Sequence, residues 1–329
     1  MYRRHARNTA LLFLLIAAGC GAARGAAISA VDIARPGGAR HYLMAAPEHG
    51  APGKRPLVLL FHGHMGSAAH LFDTQSNLSA LSVWLDIAER EQLLVIAPDG
   101  LKGSDGQSGW NDCRADAKSS PRSDDSGLVN AIIDKAIAEQ NVDPARVYVM
   151  GMSNGAGMVL RLASDIAPRL AGFAATAMSV AASSVCPAPS VPLSALFIAG
   201  TGDRIVPYAG GQIHIVPWDE RGAVIGIEQS VALWRALDKL PATPVTSALA
   251  HRSEDDPTRA MRSVWGADPR QLQVVLLKIE HGGHVEPSVR KHVGWMVSKL
   301  LGAQNGDVEA AEEAWRFFKD KRSGLVPSP

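Results

Sequence analysis

Neither sign of charge is in surplus in this sequence. Its 33 Lys and Arg residues nearly balance its 32 Asp and Glu residues, for a formal net charge of +1, and no long run of Lys and Arg occurs. Without a basic surplus, the charge balance does not indicate binding of a nucleic acid or another polyanion. Its 47% hydrophobic and 20% charged content is typical of a globular protein and argues against a disordered one.

The sequence also lacks an apolar run of the ~20 residues that a membrane-spanning helix needs. Residues 11–18 (LLFLLIAA) are too few, and they follow Arg3, Arg4 and Arg7. A positive start, a short apolar core and then small residues are typical of an export signal. We therefore predict an export signal over residues 1–26, no membrane span, and a secreted or periplasmic protein.

Cysteine is scarce, with three residues in the chain, and the first lies in the predicted signal. Residues 16–20 (IAAGC) resemble a bacterial lipoprotein box, which would make Cys20 a lipid anchor. Ordinary cleavage near residues 23–26 is the alternative, and both stay open. Export would permit a disulfide between Cys113 and Cys186, but the sequence does not show how far apart the two thiols lie.

Internal repeats and low-complexity linkers are absent as well. Short apolar runs alternate with helix-like stretches, which predicts βαβ units and an α/β fold with a mostly parallel sheet and helices on both faces. We predict one domain over residues 27–322 and a disordered tail over 323–329. The predicted strands are 41–45, 56–61, 93–97, 147–150, 172–177, 193–199 and 271–279. The predicted helices are 79–91, 125–140, 154–166, 227–238, 286–300 and 308–319.

The sharpest motif is the G-x-S-x-G of residues 151–155, which follows a predicted strand and opens a predicted helix. A serine in a tight strand-to-helix turn projects its hydroxyl from the sheet, and small residues two places away on each side let the backbones pass. The helix N-terminus also favours the negative charge that develops during acyl transfer. Ser153 is therefore the candidate nucleophile.

An acid and a histidine should follow such a serine in that order, on loops at the carboxyl ends of strands. Asp203 comes after the strand 193–199, and His284 comes after the strand 271–279. Asp203 would orient the imidazole, and His284 would accept and return the proton of Ser153. His281 is the alternative base, but the glycines before His284 leave its backbone free to reach in.

Two backbone N–H groups should stabilise the oxyanion. The first is that of Asn154, directly after the nucleophile. The second is predicted at His64, in the loop after the strand 56–61, with Met65 as the alternative. His62-Gly63-His64 also permits a metal site, but no acidic ligand follows at a useful spacing, and catalytic zinc usually needs three protein ligands. We therefore predict no metal.

Together these residues resemble the polyhydroxybutyrate depolymerase-like esterases, which are related to the feruloyl and acetylxylan esterases of carbohydrate esterase family 1. The resemblance covers roughly residues 40–320 in unbroken motif order. The matching stretches are 60–63 (LFHG), 97–100 (APDG), 109–111 (GWN), 124–125 (DD), 143–149 (DPARVYV), 151–155 (GMSNG), 200–203 (GTGD), 206–208 (VPY), 282–284 (GGH) and 315–318 (WRFF).

The resemblance implies an α/β-hydrolase fold, ester hydrolysis through an acyl-enzyme, and no cofactor. It assigns the triad to Ser153, Asp203 and His284, and it places Trp110 and Asn111 near the active-site mouth as candidate substrate-binding residues. Packing of Trp110 on the core as a loop anchor is the alternative. Residues 211–226 depart from the family pattern and are expected to shape the pocket.

We therefore predict an exported serine esterase that acts on hydroxyalkanoate oligomers or on feruloyl or acetyl esters. The acyl and alcohol groups and the oligomeric state are not indicated by the sequence. A serine peptidase on the same scaffold is one alternative, although no cap domain to select peptides is evident. A non-catalytic binding protein is another, since a fold does not imply a function, but such a protein has no need of a complete triad.

Overall fold

The computed structural model of the chain describes residues 26–50, 52–215 and 220–324. The strands, numbered along the chain, are β1 (Ala27–Arg35), β2 (Gly38–Ala46), β3 (Arg55–Phe61), β4 (Leu94–Pro98), β5 (Leu101–Lys102), β6 (Ser108–Gly109), β7 (Val142–Met152), β8 (Gly172–Thr176), β9 (Ala195–Gly200), β10 (Gly210–His214), β11 (Glu220–Ile225), β12 (Val245–Ala248), β13 (Arg259–Trp265) and β14 (Val274–Glu280). The helices are α1 (Ala68–Leu71), α2 (Trp84–Glu91), α3 (Asp125–Glu139), α4 (Asn154–Asp165), α5 (Ile227–Leu237), α6 (Trp295–Leu301) and α7 (Ala310–Phe318).

A ten-stranded sheet forms the centre, in the order β1-β2-β4-β3-β7-β8-β9-β14-β13-β12. The six strands from β4 to β14 are parallel to one another, and the two strands at each edge are antiparallel. Residues 57–61 of β3 have no exposed area, as expected for a strand that is covered on both faces. The prediction of a mostly parallel sheet is thus confirmed.

Two hydrophobic cores lie on the two faces of this sheet. One contains the apolar side chains of α3, α4 and α5, and the other contains those of α1, α2 and α7. This confirms the predicted placement of helices on both faces. Because the parallel strands share one direction, the loops that follow β3, β7, β9 and β14 meet at one edge of the sheet.

The predicted helix over 286–300 is wrong in its first half, since α6 begins only at Trp295. The carboxylate of Glu309 accepts the backbone N–H groups of Val289 and Arg290, and the hydroxyl of Ser288 accepts that of Lys291. These side-chain acceptors satisfy the backbone in a turn, where a helix would have used carbonyl groups. The edge strands β1, β12 and β13 were not predicted, and in β12 all four residues are exposed, so no apolar alternation marks it.

Residues 104–123, whose Gly, Ser and Asp content predicts a long surface loop, carry β6 and one half of a disulfide. Cys113 and Cys186 are bonded, with their Cα atoms 5.6 Å apart, so the loop is tied to the segment that follows β8. The predicted signal over 1–26, including Cys20, lies outside the described residues except for Ala26, and so does the tail beyond Gly324. None of the described helices has the length and apolar character needed to cross a bilayer.

Candidate active site

Ser153 occupies a strained turn between β7 and α4. Its backbone φ of 55° and ψ of −124° lie in a region that L-residues rarely adopt. A side chain on Gly151 would lie 2.5 Å from the backbone of Gly155, and one on Gly155 would overlap the carbonyl of Phe61. The two glycines of the motif are therefore required sterically, as the sequence spacing predicts.

The structure brings His284 and Asp203 to this serine. The Nε2 atom of His284 lies 2.9 Å from the hydroxyl of Ser153, and its Nδ1 atom lies 2.7 Å from Oδ2 of Asp203. Because a carboxylate only accepts, Nδ1 carries the proton and Nε2 accepts the serine O–H. The alternative base, His281, is exposed.

The carboxylate of Asp203 is itself held in place by its own loop. Its Oδ1 atom accepts the backbone N–H groups of Ile205 and Val206, each at 2.8 Å. The side chains of Asp203 and His284 are only 3% and 6% exposed, so water does not compete for their hydrogen bond. This arrangement fixes both the tautomer and the orientation of the imidazole.

Asn154 is the first residue of α4, where a backbone N–H has no carbonyl partner within the helix. Its side chain joins the helix to the loop that follows β6. Oδ1 accepts the N–H of Trp110 at 2.7 Å, and Nδ2 donates to the carboxylate of Asp112 at 2.7 Å. The predicted first oxyanion donor thus belongs to a residue whose side chain is buried and bonded at both ends.

The two alternatives for the second donor differ in their contacts. The backbone N–H of Met65 donates to the carbonyl of Ser108 at 2.9 Å. Because this N–H already has an acceptor within the protein, His64 stays the candidate for the second oxyanion donor. The ring of His64 is clamped between Arg221, at 3.0 Å from Nδ1, and Asp105, at 3.2 Å from Nε2. Since a guanidinium only donates, Nδ1 accepts and Nε2 carries the proton.

Both ring nitrogens of His62 form hydrogen bonds with the backbone. Nε2 accepts the N–H of Gly100 at 3.0 Å, and Nδ1 donates to the carbonyl of Gly63 at 2.7 Å. Burial lowers the pKa of this imidazole, which keeps it neutral near pH 7. With His64 held by Arg221 and Asp105, the ring nitrogens of both histidines are engaged in contacts within the protein.

Trp110 and Asn111 anchor the loop that follows β6. The indole of Trp110 has no exposed area, donates to the carbonyl of His62 at 2.9 Å and packs against Phe61. A side chain so enclosed presents no surface to a substrate. The structure therefore favours the alternative role of Trp110, an anchor for its loop, over the expected contact with substrate. Asn111 donates its side-chain amide to the carbonyl of Ser123 at 3.0 Å, and its substrate-binding role stays a prediction.

Three site-supporting residues were not singled out from the sequence: Asp105, Asp112 and Arg221. Arg221 is 2% exposed, and it binds the carboxylate of Asp105 at 2.6 Å and the hydroxyl of Ser119 at 2.8 Å. Burial raises the pKa of Asp105, but the N–H of Gln107 and the guanidinium of Arg221 outweigh it, so that the pKa lies below its usual range. Both ends of this contact lie in stretches that the sequence marked, the loop 104–123 and the departing segment 211–226.

No protein-family model matches the chain. The chain is similar in sequence to NocK of Nocardia uniformis subsp. tsuyamanensis, which is assigned as an esterase, with 26% identity over 73% of this chain and 69% of NocK. It is also 26% identical to feruloyl esterase B of Piromyces equi, over 73% of this chain and 41% of that protein.

A third relative is the bifunctional acetylxylan esterase/xylanase XynS20E of Neocallimastix patriciarum, at 30% identity over 52% of this chain and 22% of that protein. The chain thus spans less than half the length of two of these three relatives. The expected resemblance to feruloyl and acetylxylan esterases is confirmed, and the relatives support hydrolysis of carboxylic esters.

Among solved structures, the acetyl xylan esterase of Aspergillus awamori superposes with a TM-score of 0.51, over 83% of this chain and 98% of that one, at 14% identity. At this identity the likeness concerns the fold alone. Together with the strand order, it confirms the predicted α/β-hydrolase fold.

Proposed function

We propose that this protein is a serine esterase in which Ser153 attacks the ester carbonyl. One observation carries the proposal: Ser153, His284 and Asp203 form a continuous hydrogen-bonded chain, 2.9 Å and 2.7 Å long at its two links. Ser153 and Asp203 are 50 positions apart in the sequence, and Asp203 and His284 are 81 apart. The fold brings them together in the donor and acceptor order that general base catalysis needs.

In the proposed reaction, Nε2 of His284 takes the serine proton as the hydroxyl attacks. The imidazolium that forms is stabilised by the carboxylate of Asp203, and its proton passes to the leaving alcohol. The acyl group then remains on Ser153 as an ester. Water, activated by the same imidazole, hydrolyses this acyl-enzyme and releases the acid.

The negative charge on the former carbonyl oxygen would be stabilised by the backbone N–H groups of Asn154 and His64. Two features support this assignment: the position of Asn154 at the start of α4, and the engagement of the Met65 N–H by Ser108. Each such donor is worth about 3 kcal/mol of transition-state stabilisation. The buried side-chain contacts of Asn154 and His64 would hold both donors in place before substrate arrives.

The substrate is proposed to be a feruloyl or acetyl ester, in line with the names of two relatives, or a hydroxyalkanoate oligomer, which the resemblance of the motifs implies. Export is proposed from the residue pattern of positions 1–26, with a lipid anchor at Cys20 as a variant of it. The Cys113–Cys186 disulfide supports an oxidising compartment, because such bonds persist outside the reducing cytosol. The mass of the mature N-terminus would distinguish cleavage near residue 26 from lipidation.

The proposed activity is tested with purified wild type and Ser153→Ala on p-nitrophenyl acetate, followed by feruloyl, acetyl-sugar and 3-hydroxybutyrate oligomer esters. We expect hydrolysis by the wild type and a loss of kcat of about 10⁴-fold or more in Ser153→Ala, at unchanged circular dichroism. Ser164→Ala, on the same helix, is the control. A wild type that is inert towards every ester, or a Ser153→Ala variant that turns over normally, would refute the proposal.

A further inference from the structure

Helix α6 presents apolar side chains to water. None of its seven residues is buried, and Trp295, Met296 and Leu300 are 68%, 68% and 70% exposed. In the described part of the chain nine large apolar side chains are exposed, and three of them lie within six residues on this one short helix. Such clustering differs from the scattered single exposures that are normal for a protein surface.

The helix ends directly on the loop that carries His284. The carbonyl of Leu301 accepts the backbone N–H of His284 at 2.6 Å. A side chain on Gly283 would lie 2.5 Å from Cα of Gly302, so the end of α6 and the histidine loop are in close backbone contact. The C-terminal end of the apolar helix therefore lies against the loop that carries the proposed base.

A further exposed apolar side chain lies on the other loop of the proposed site. Met65 is 57% exposed and follows His64 directly. The same loop passes Ser153, because a side chain on Gly63 would begin 3.5 Å from Cβ of that serine. The three exposed side chains of α6, Trp295, Met296 and Leu300, are called the apolar patch below.

We propose that the apolar patch is an adsorption surface for a water-insoluble ester, which it holds next to Ser153. A second copy of the chain fits less well: three side chains offer a few hundred Å², whereas a stable dimer buries ~800 Å² on each partner. Functional patches on monomers are typically about 300–600 Å². The identification of the surface as an ester rests on the proposed function.

The chemistry of the patch suits a boundary between water and an apolar phase. The Nζ of Lys299 lies 4.6 Å from the centre of the Trp295 ring, so an ammonium group stands beside an indole. At such a boundary the indole and the aliphatic side chains enter the apolar phase while the ammonium stays in water. Since the C-terminal end of α6 contacts the loop of His284, ester groups at the surface of an adsorbed phase would be held near Ser153.

The test measures adsorption of the full chain to emulsified tributyrin by centrifugation, in the Ser153→Ala background so that the droplets are not consumed. The patch variant carries Trp295→Ser, Met296→Ser and Leu300→Ser. Its control carries Ile28→Ser and Val245→Ser, which remove exposed apolar side chains from β1 and β12. Phosphatidylcholine vesicles and light scattering provide the comparison arms.

We expect Ser153→Ala to bind the droplets, the control to bind equally, and the patch variant to bind about tenfold or more weakly. Absence of adsorption by Ser153→Ala, equal adsorption by the patch variant, or equal loss in the control would overturn the proposal. So would equal binding to the vesicles, which indicates a membrane surface, or a dimer that dissociates in the patch variant.

Activity measurements on dissolved and emulsified esters distinguish a failure of this inference from a failure of the proposed function. With Ser153 restored, the patch variant should hydrolyse dissolved p-nitrophenyl acetate within twofold of the wild type and emulsified tributyrin about tenfold more slowly. A wild type that hydrolyses dissolved esters but does not adsorb refutes the surface alone. Adsorption without hydrolysis of any ester refutes the proposed function and the ester identity of the surface.

Discussion

The guanidinium of Arg221 lies 3.0 Å from Nδ1 of His64, and this contact ties the β10–β11 hairpin to the loop after β3. On its other side the same guanidinium binds the carboxylate of Asp105, which also contacts Nε2 of His64. The ring of His64 is thus held at both nitrogens by this ion pair, whose guanidinium is buried. If the backbone N–H of His64 is an oxyanion donor, this pair determines how precisely it points.

Arg221→Met should therefore lower kcat about 10- to 100-fold with little change in KM, since oxyanion contacts strengthen only in the transition state. Affinity for a trifluoromethyl ketone should fall by a similar factor. Arg221→Lys, which keeps a buried donor and its charge, should recover part of kcat. Steady-state kinetics on p-nitrophenyl acetate measure these effects.

Arg169→Met is the matched control, because Arg169 pairs with Asp134 on α3, outside the site. It should leave kcat unchanged. A purely structural role for Arg221 predicts instead a lowered unfolding midpoint with unaltered kcat and ketone affinity, and that result would contradict the assignment.

Asp238 should make stability fall as the pH rises from 4 to 7. Burial raises the pKa of this carboxyl from 3.8 to about 7, so between these values the folded protein binds a proton that the unfolded chain has lost. Unfolding free energy then decreases by at most about 1.4 kcal/mol per pH unit. Asp238→Asn should remove this slope and be the more stable protein at pH 8.

Chemical denaturation at pH 4, 6 and 8 measures that difference. The amide keeps the oxygen that accepts the N–H of Leu193 but carries no charge. Asp86→Asn, at a side chain that is 62% exposed, is the control and should follow the wild type. Parallel pH curves for wild type and Asp238→Asn would exclude the raised pKa.

We expect the disulfide to stabilise the folded protein and not to take part in catalysis. It closes a loop across a sequence separation of 73 residues, for which chain entropy gives about 4 kcal/mol. The double variant Cys113→Ala/Cys186→Ala should lose roughly 2–4 kcal/mol of unfolding free energy in urea. Added reductant should lower the unfolding midpoint of the wild type and leave that of the variant unchanged; equal sensitivity of the two would count against the bond.

Asp125 should be far more sensitive to truncation than surface carboxylates. It has no exposed area, and it accepts from Arg40 at 3.0 Å, from the N–H of Asn111 at 2.9 Å and from the hydroxyl of Ser123 at 2.9 Å. Asp125→Ala leaves the buried guanidinium of Arg40 without its counter-charge and should cost roughly 3–5 kcal/mol. Asp134→Ala, on the surface of α3 and 69% exposed at its side chain, should cost less than about 1 kcal/mol in the same urea titration.

The parts of the fold that local patterns encode were predictable from the sequence. Continuous apolar runs such as 57–61 are typical of strands covered on both faces, and the glycines at 151 and 155 are typical of a turn where backbones cross. The order serine, acid, histidine at the ends of strands was enough to predict that Ser153, Asp203 and His284 would meet. Their catalytic role remains a proposal.

Features that depend on contacts between distant segments were not predictable. The turn before α6 exists because Glu309, some twenty residues later, accepts its N–H groups. The sequence is equally compatible with Trp110 as a substrate-binding residue or as a loop anchor. Only its packing against Phe61 distinguishes the two roles. Likewise, nothing local to Arg221 indicates that its partner is His64, 157 positions away.

The most direct test of the central claim is the rate at which a fluorophosphonate attaches to Ser153, located by peptide mass spectrometry, in wild type and in His284→Ala. If the imidazole draws the proton from the serine hydroxyl, the wild type is labelled at Ser153, and His284→Ala, folded by circular dichroism, is labelled about 10³-fold or more slowly. Labelling of His284→Ala at the wild-type rate, or attachment only at another residue, would contradict the account.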